Sequence, residues 1–146
     1  MKALLVYGST WGNTAKVVQR VPPLLSFPVD IVNIRTLTGD STFAQYDLLL
    51  FFASTTGDQE LQEDMEQFFV RQTRNLYGKP YAVCELGNYF GYDDFDLGAE
   101  QILRHLLCQA GGKELIPPFC MDSFPYKDWN NLARWCVHLN QAASEL

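Results

Sequence analysis

The segment that most restricts this chain is Asp47–Ala53, where Leu48-Leu49-Leu50-Phe51-Phe52 runs without a polar residue. Successive residues of a strand point to opposite faces, so a strand with one wet face alternates apolar and polar. A short run that is apolar at every position fits a strand covered on both faces, as in the middle of a parallel sheet. Similar runs recur at Ala3–Tyr7, at the alternating Val29–Ile34, at Tyr81–Leu86 and at Leu115–Phe119. Between them lie segments of helical period. Thr14–Leu25 reads as a helix cut short by Pro22-Pro23. Leu61, Met65, Phe68 and Phe69 share one helical face. Ile102, Leu103, Leu106, Leu107 and Ala110 form a stripe closed by Gly111-Gly112, and Trp129, Leu132, Cys136, Leu139 and Ala143 mark a last helix. Thr36–Tyr46 lacks such a period and is expected to hold at most a short helix. This alternation predicts an α/β fold, a parallel sheet with helices on both faces and right-handed crossovers. Residues 1–146 are expected to form a single domain, with no internal repeat or linker.

Charge narrows the function. Eleven Lys and Arg against seventeen Asp and Glu leave a net charge of −6. Nucleic-acid binding depends on basic side chains that neutralise phosphates, so it is not expected here. An acidic protein suits basic partners. Cys84, Cys108, Cys120 and Cys136 form no C-x-x-C pair, and His105 and His138 are the only histidines, so no metal site is expected. Met1–Tyr7 carries one lysine and an apolar stretch too short for a signal peptide or a membrane span. A cytoplasmic, reduced protein without membrane attachment is the expectation.

Ligands of open parallel sheets bind beyond the carboxyl ends of the strands. Three loops therefore matter. The first, Gly8-Ser9-Thr10-Trp11-Gly12-Asn13-Thr14, opens a helix with three hydroxyls, two glycines, an asparagine and no cation. That inventory suits an anion held by backbone N–H groups, hydroxyls and a helix N-terminus. It would equally serve a polar strand-to-helix turn with an N-cap. It is neither a Walker A loop nor a G-x-G-x-x-G fingerprint. The second, Ser54-Thr55-Thr56-Gly57-Asp58-Gln59-Glu60, offers a mobile peptide at Gly57 and acidic residues suited to a helix start. A simple capped turn has the same composition. The third, Gly87 to Asp96, holds Tyr89, Phe90, Tyr92 and Phe95 among acidic residues. A solvated loop gains nothing from exposing four aromatics. Phe90 and Phe95 are assigned to roofing the core, and the remainder can form a flat wall for an aromatic ligand.

Together the three loops resemble the FMN site of flavodoxins. Gly-Ser-Thr-Trp-Gly-Asn-Thr is similar to the family's phosphate loop, Ser/Thr-x-Thr-Gly-x-Thr. Ser54-Thr55-Thr56-Gly57-Asp58, backed by Glu60-Leu61-Gln62, resembles the second flavin loop, and Gly91-Tyr92, reached through Gly87-Asn88, resembles the third. The order and spacing match along the whole chain, and no long insertion interrupts strand five, as in the short-chain branch. The resemblance implies a flavodoxin-like three-layer sandwich around a five-stranded parallel sheet of order 2-1-3-4-5. It places the phosphate on Ser9, Thr10, Asn13 and Thr14 and on the N–H groups of Trp11 and Gly12. Ser54 and Thr55 would line the ribityl chain and inner ring edge, and the Gly57–Asp58 peptide would face flavin N5. Tyr92 would stack on the ring, with the backbone of Leu86, Gly87, Asn88 and Tyr89 at the pyrimidine edge. Three positions depart from the family pattern. Thr56 stands where many members carry Trp or Met, Asn88 stands where aspartate is common, and Pro22-Pro23 shortens the first helix.

The resemblance implies a non-enzymatic, low-potential one-electron carrier with non-covalent FMN, working mainly between semiquinone and hydroquinone. Asp58, Glu60, Glu63, Asp64, Asp93, Asp94 and Asp96 crowd the ring loops. Their charge disfavours an anionic reduced flavin and would steer a monomer onto basic faces of redox proteins, a reductase as donor and a low-potential enzyme as acceptor. Two alternatives share the fold: an FMN-dependent quinone reductase and a flavodoxin-like partner that activates a metalloenzyme. A receiver domain is excluded, because Tyr7-Gly8, Ala53-Ser54 and Pro117-Pro118-Phe119 occupy the places of its acidic residues and lysine. A C-x5-R phosphatase is excluded because no cysteine is followed by the arginine.

Overall fold

The apolar run becomes the middle strand of the sheet. In a computed structural model, which describes residues 1–56, 60–87, 99–122 and 127–146, it forms β3, Leu48–Thr56. On one side of β3 lie β1 (Ala3–Gly8) and then β2 (Val29–Asn33); on the other lies β5 (Pro80–Gly87). All these pairs are parallel. A two-residue strand, β4 (Glu60–Leu61), folds back antiparallel on the end of β3.

The fifth position of the sheet corrects one expectation. A strand over Leu115–Phe119 does not form as such. Instead β6 (Lys113–Glu114) pairs with Pro80 and Tyr81 at the start of β5, and β7 (Phe119–Asp122) pairs with Cys84 to Gly87 at its end. Pro117 and Pro118 have no N–H to give to a ladder, so pairing lapses where they stand and resumes after them. The expected order of five positions holds, with two short strands sharing the last.

Four helices cover the sheet among the described residues: α1 (Asn13–Val18), α2 (Glu63–Val70), α3 (Ala99–Gln109) and α4 (Trp129–Ser144). The first is much shorter than the Thr14–Leu25 expected. It stops four residues before Pro22, and Pro22–Leu24 makes only a 3-10 turn. Thr36–Tyr46 contains no α-helix; 3-10 turns at Ile34–Thr36 and Ser41–Gln45 cross it.

Strand periodicity divides the interior into two cores. Ala3, Leu5, Leu48, Leu50, Phe52, Ala82, Cys84 and Leu86 meet Val17 and Val18 of α1 and Leu132, Cys136 and Leu139 of α4. Leu4, Val6, Leu49, Phe51, Ala53, Tyr81 and Val83 meet Met65, Phe68 and Phe69 of α2 and Leu103 and Leu107 of α3. Phe51 sits edge-on to Phe43 and Phe69, with ring centroids 6.0 and 5.9 Å away. No helix of the described residues is long and apolar enough to cross a membrane.

The parallel register also brings the ends of three strands together. Gly8 lies beside Ala53, and Ser54 beside Leu86, so β1, β3 and β5 end along one edge of the sheet. Phe51→Ala should lower unfolding free energy by about 3–5 kcal/mol in urea titrations. Val70→Ala, on the exposed side of α2, should stay within about 0.5 kcal/mol of the parent. Similar costs for the two would contradict the two-core packing.

Candidate functional site

The loop after β1 turns sharply at Gly12, whose φ of 88° caps α1 in the left-handed region. A side chain there would strain the backbone, which is why glycine stands at this point. The Gly12 N–H donates to Ser9 Oγ at 3.0 Å, so the serine braces the loop from within. Thr10 is exposed and accepts a hydrogen bond from Gln62 Nε2 at 3.4 Å. Trp11 points its indole into solvent at 87 % exposure, and Asn13 is half-buried. Thr14 is different. It is fully buried, and its Oγ1 has no hydrogen-bond partner.

The second loop repeats that pattern. Ser54 Oγ is buried and unpartnered. Thr55 Oγ1 donates to Glu85 Oε1 at 3.3 Å. The backbone at Thr56 pairs with Glu60 across the β3–β4 turn. Leu86 is buried and Gly87 half-buried at the end of β5. The structure thus brings Ser9–Thr14, Ser54–Thr56 and Leu86–Gly87 to one edge. The assignments to Gly57, Asp58, Asn88, Tyr89 and Tyr92 fall outside the described residues, as do those to Phe90 and Phe95.

Buried polar atoms normally find partners, and leaving one unmet costs roughly 1–3 kcal/mol. Among the described residues, three side chains carry such atoms: Thr14, Ser54 and Glu85. All lie at the ends of β1, β3 and β5 or in the segments that follow. Two are hydroxyls in the two loops that the sequence singles out. A ligand rich in oxygen acceptors and hydroxyls, such as FMN, fits these unmet atoms.

Two residues take roles at the site that sequence reasoning did not give them. Gln62 is buried and occupies the N-cap of α2, where Oε1 accepts from the Met65 N–H at 2.9 Å. Its own N–H donates to Ser54 O at 3.0 Å. A Cβ on Gly8 would run into the Gln62 carboxamide, so glycine at the end of β1 is what lets α2 dock. Asp64 accepts from Gln62 Nε2 at 3.0 Å and from Arg35 at 2.9 Å. The Gln62 bond first, and Arg35 after it, hold the Asp64 carboxyl below its usual range against an opposing effect of burial. Glutamine is not a favoured N-cap, so local pattern gave no signal.

Glu85 did leave a signal, as the one charged residue in the run Tyr81–Leu86. It is fully buried between Ala53 and Cys120 in the sheet. Burial pushes its pKa well above the carboxylate range; the Thr55 bond opposes this, and Glu100 adds to it. Glu100 is itself buried and paired with Arg104 at 3.3 Å. That direction favours the protonated form of Glu85.

A model of the family described as flavodoxin matches residues 5–128. The chain belongs to the flavodoxin family. Flavodoxins are electron-transfer flavoproteins rather than enzymes. The flavodoxin of Maridesulfovibrio salexigens is 28 % identical over 87 % of this chain and 90 % of its own. Among solved structures, a point mutant of a Pseudomonas aeruginosa flavodoxin superposes with a TM-score of 0.78 at 26 % identity, covering 97 % of this chain and 98 % of that one. A Fusobacterium nucleatum flavodoxin bound to flavin mononucleotide shares the fold at 15 % identity, with a TM-score of 0.69 over 99 % of this chain and 95 % of that one.

The neutral acid has a measurable signature. In the unfolded chain Glu85 ionises near its ordinary value, whereas burial raises the folded pKa, so between the two values folded molecules bind more protons. Stability contributed by this group is then lost as pH rises above the unfolded value, by up to about 1.4 kcal/mol per pH unit, until the folded group also ionises. Glu85→Gln should remove that slope. Urea titrations between acid and alkaline pH test this, and an unchanged slope in the variant would refute the neutral acid.

Proposed function

We propose that this flavodoxin-family chain, as one monomeric cytoplasmic domain, binds FMN non-covalently and carries single electrons at low potential. The reading rests above all on Thr14 and Ser54, two buried hydroxyls without partners in the two loops assigned to the cofactor. FMN, when bound, supplies a ring that takes up and releases electrons one at a time. The residues of this chain supply binding, orientation and electrostatics.

Phosphate recognition falls to Ser9, Thr10, Asn13 and Thr14 and to the N–H groups of Trp11 and Gly12. The loop from Gly8 to Thr14 contains no Lys or Arg, so affinity comes from neutral donors. Ser54 and Thr55 would meet the ribityl chain, and the Leu86–Gly87 backbone the pyrimidine edge. In the sequence the Gly57–Asp58 peptide is the group to accept a proton-bearing N5, and Tyr92, beside Asn88 and Tyr89, the group to stack on the ring. Thr56 leaves less cover over the inner face than the larger residues common in the family.

Glu60 and Glu63 are exposed at the mouth of the second loop, next to Asp64. With Asp58, Asp93, Asp94 and Asp96 they form an acidic neighbourhood in sequence. One unit charge at about 10 Å opposes another by roughly 0.4 kcal/mol in water and up to about 1.7 kcal/mol at an effective dielectric near 20. Several such charges disfavour adding the second electron, which makes the carrier a strong donor working between half-reduced and fully reduced cofactor. The same charges suit basic faces of a donor reductase and a low-potential acceptor enzyme.

Purified protein should be yellow and release one FMN per chain on denaturation; FAD or riboflavin in its place would refute the reading. A hydrogen bond to a charged group contributes roughly 1.5–3 kcal/mol, so Thr14→Val should weaken FMN about tenfold or more and spare riboflavin. Fluorescence titration of the apoprotein with each ligand checks this. Neutralising Asp93, Asp94 and Asp96 together should raise the second reduction potential by tens of millivolts, since about 1.4 kcal/mol corresponds to 59 mV for one electron. A redox titration followed by visible absorbance reports that shift.

A further inference from the structure

Gln62 makes more contacts across the site than an N-cap requires. Its oxygen is committed to the Met65 N–H, which only an acceptor can satisfy. The amide is therefore oriented, and Nε2 is the group that faces Thr10 Oγ1 at 3.4 Å and Asp64 Oδ2 at 3.0 Å. The Asp64 carboxylate agrees with that orientation, since it can only accept. A threonine hydroxyl has one proton and two acceptor lone pairs. Because Gln62 arrives as a donor, it occupies a lone pair of Thr10 and leaves the Thr10 proton to be donated elsewhere.

We propose that Gln62 is a positioning residue that presents the Thr10 hydroxyl as a hydrogen-bond donor to the cofactor's phosphate, while its backbone N–H secures Ser54 in the adjoining loop. The inference rests on the FMN reading and assigns it a residue outside the phosphate loop. Burial supports the role, as Gln62 is 1 % exposed and does not swing between water and the site. Gly8 supports it too, because its missing Cβ is the space the carboxamide fills. Neutral donors are all the loop has, so the direction of each O–H matters. A hydroxyl turned the other way would aim a lone pair at an anion.

The test compares FMN and riboflavin, which differ only in the phosphate, on apoprotein carrying Gln62→Met, Thr10→Val or both. Gln62→Met should lose about fivefold or more in FMN affinity and stay within about twofold for riboflavin. The double variant should bind FMN no worse than Thr10→Val alone, within about twofold, because residues that act through one another are not additive. If the methionine variant does not fold, Gln62→Glu keeps an oxygen for the Met65 N–H. Once ionised it can only accept, so the Thr10 O–H donates to it instead of to the phosphate, and its selective loss of FMN should be greater at pH 8 than at pH 6. Equal weakening of both ligands, or additive losses in the double variant, would overturn the proposal and leave only a helix cap. A parent protein that binds FMN and riboflavin equally would instead overturn the phosphate reading, and the role of Gln62 with it.

Discussion

Covering both faces of one strand is the constraint on which the rest of this molecule depends. Leu48 to Ala53 are all fully buried, and no single layer of helices could do that. Two layers are needed, so the chain must cross the sheet repeatedly, and each crossover ends in a strand parallel to the last. Side-chain alternation then sends Leu48, Leu50 and Phe52 to one core and Leu49, Phe51 and Ala53 to the other. Each of these side chains would lose its apolar burial if β3 left the sheet. The strand ends from which the loops start gain their places from it, because β1 and β5 hold register against its two edges.

A rigid sheet edge permits what the loops themselves would not sustain. Thr14, Ser54 and Glu85 keep polar atoms buried without partners, a local cost that a firmly packed scaffold can carry. Glu85 shows the size of that tolerance. Its carboxyl lies among Ala53, Thr55 and Cys120 and near Glu100, and holding a proton is the cheaper outcome in such a place. Neutral, it can anchor Thr55 without adding another negative charge beneath the ring loop. On the proposed reading, an ionised carboxylate there would add to the negative charge that opposes a reduced cofactor.

Much of this is legible in the residues because burial on two faces leaves a mark that does not depend on context. The β3 run, the two-fold and helical periods, and the hydroxyl-rich loop after β1 are all plain from the amino-acid order. The breaks are harder. Pro22-Pro23 is visible, yet α1 stops four residues short of the first proline. Pro117-Pro118 lies inside an apolar run that looks like one strand, and the missing N–H groups divide it into β6 and β7. Gln62 stands in the sequence only as part of the stretch behind the second loop, and its role is hidden for a different reason. Its importance comes from meeting Thr10, 52 residues away, and from the space above Gly8, and neither relation exists until α2 has docked.

That docking carries an electrostatic consequence. The first turn of α2 holds Glu63, Asp64 and Glu66, which the positive end of a helix stabilises. They also place negative charge near the loop from Gly8 to Thr14, to which the proposed function gives the phosphate. Arg35 offsets one of them by pairing with Asp64, but that pair is exposed and contributes little on its own. Phosphate binding as proposed would therefore rely on oriented neutral donors, whose strength depends on exclusion of water and on fixed direction rather than on charge. A lysine in the loop would bind phosphate more simply. On the proposed low-potential reading it would also offset the acidic charge that disfavours the second electron. On the proposed reading, binding by hydroxyls and backbone N–H groups would separate the two requirements: geometry would hold the cofactor, and the surrounding charge would be left to set the potential.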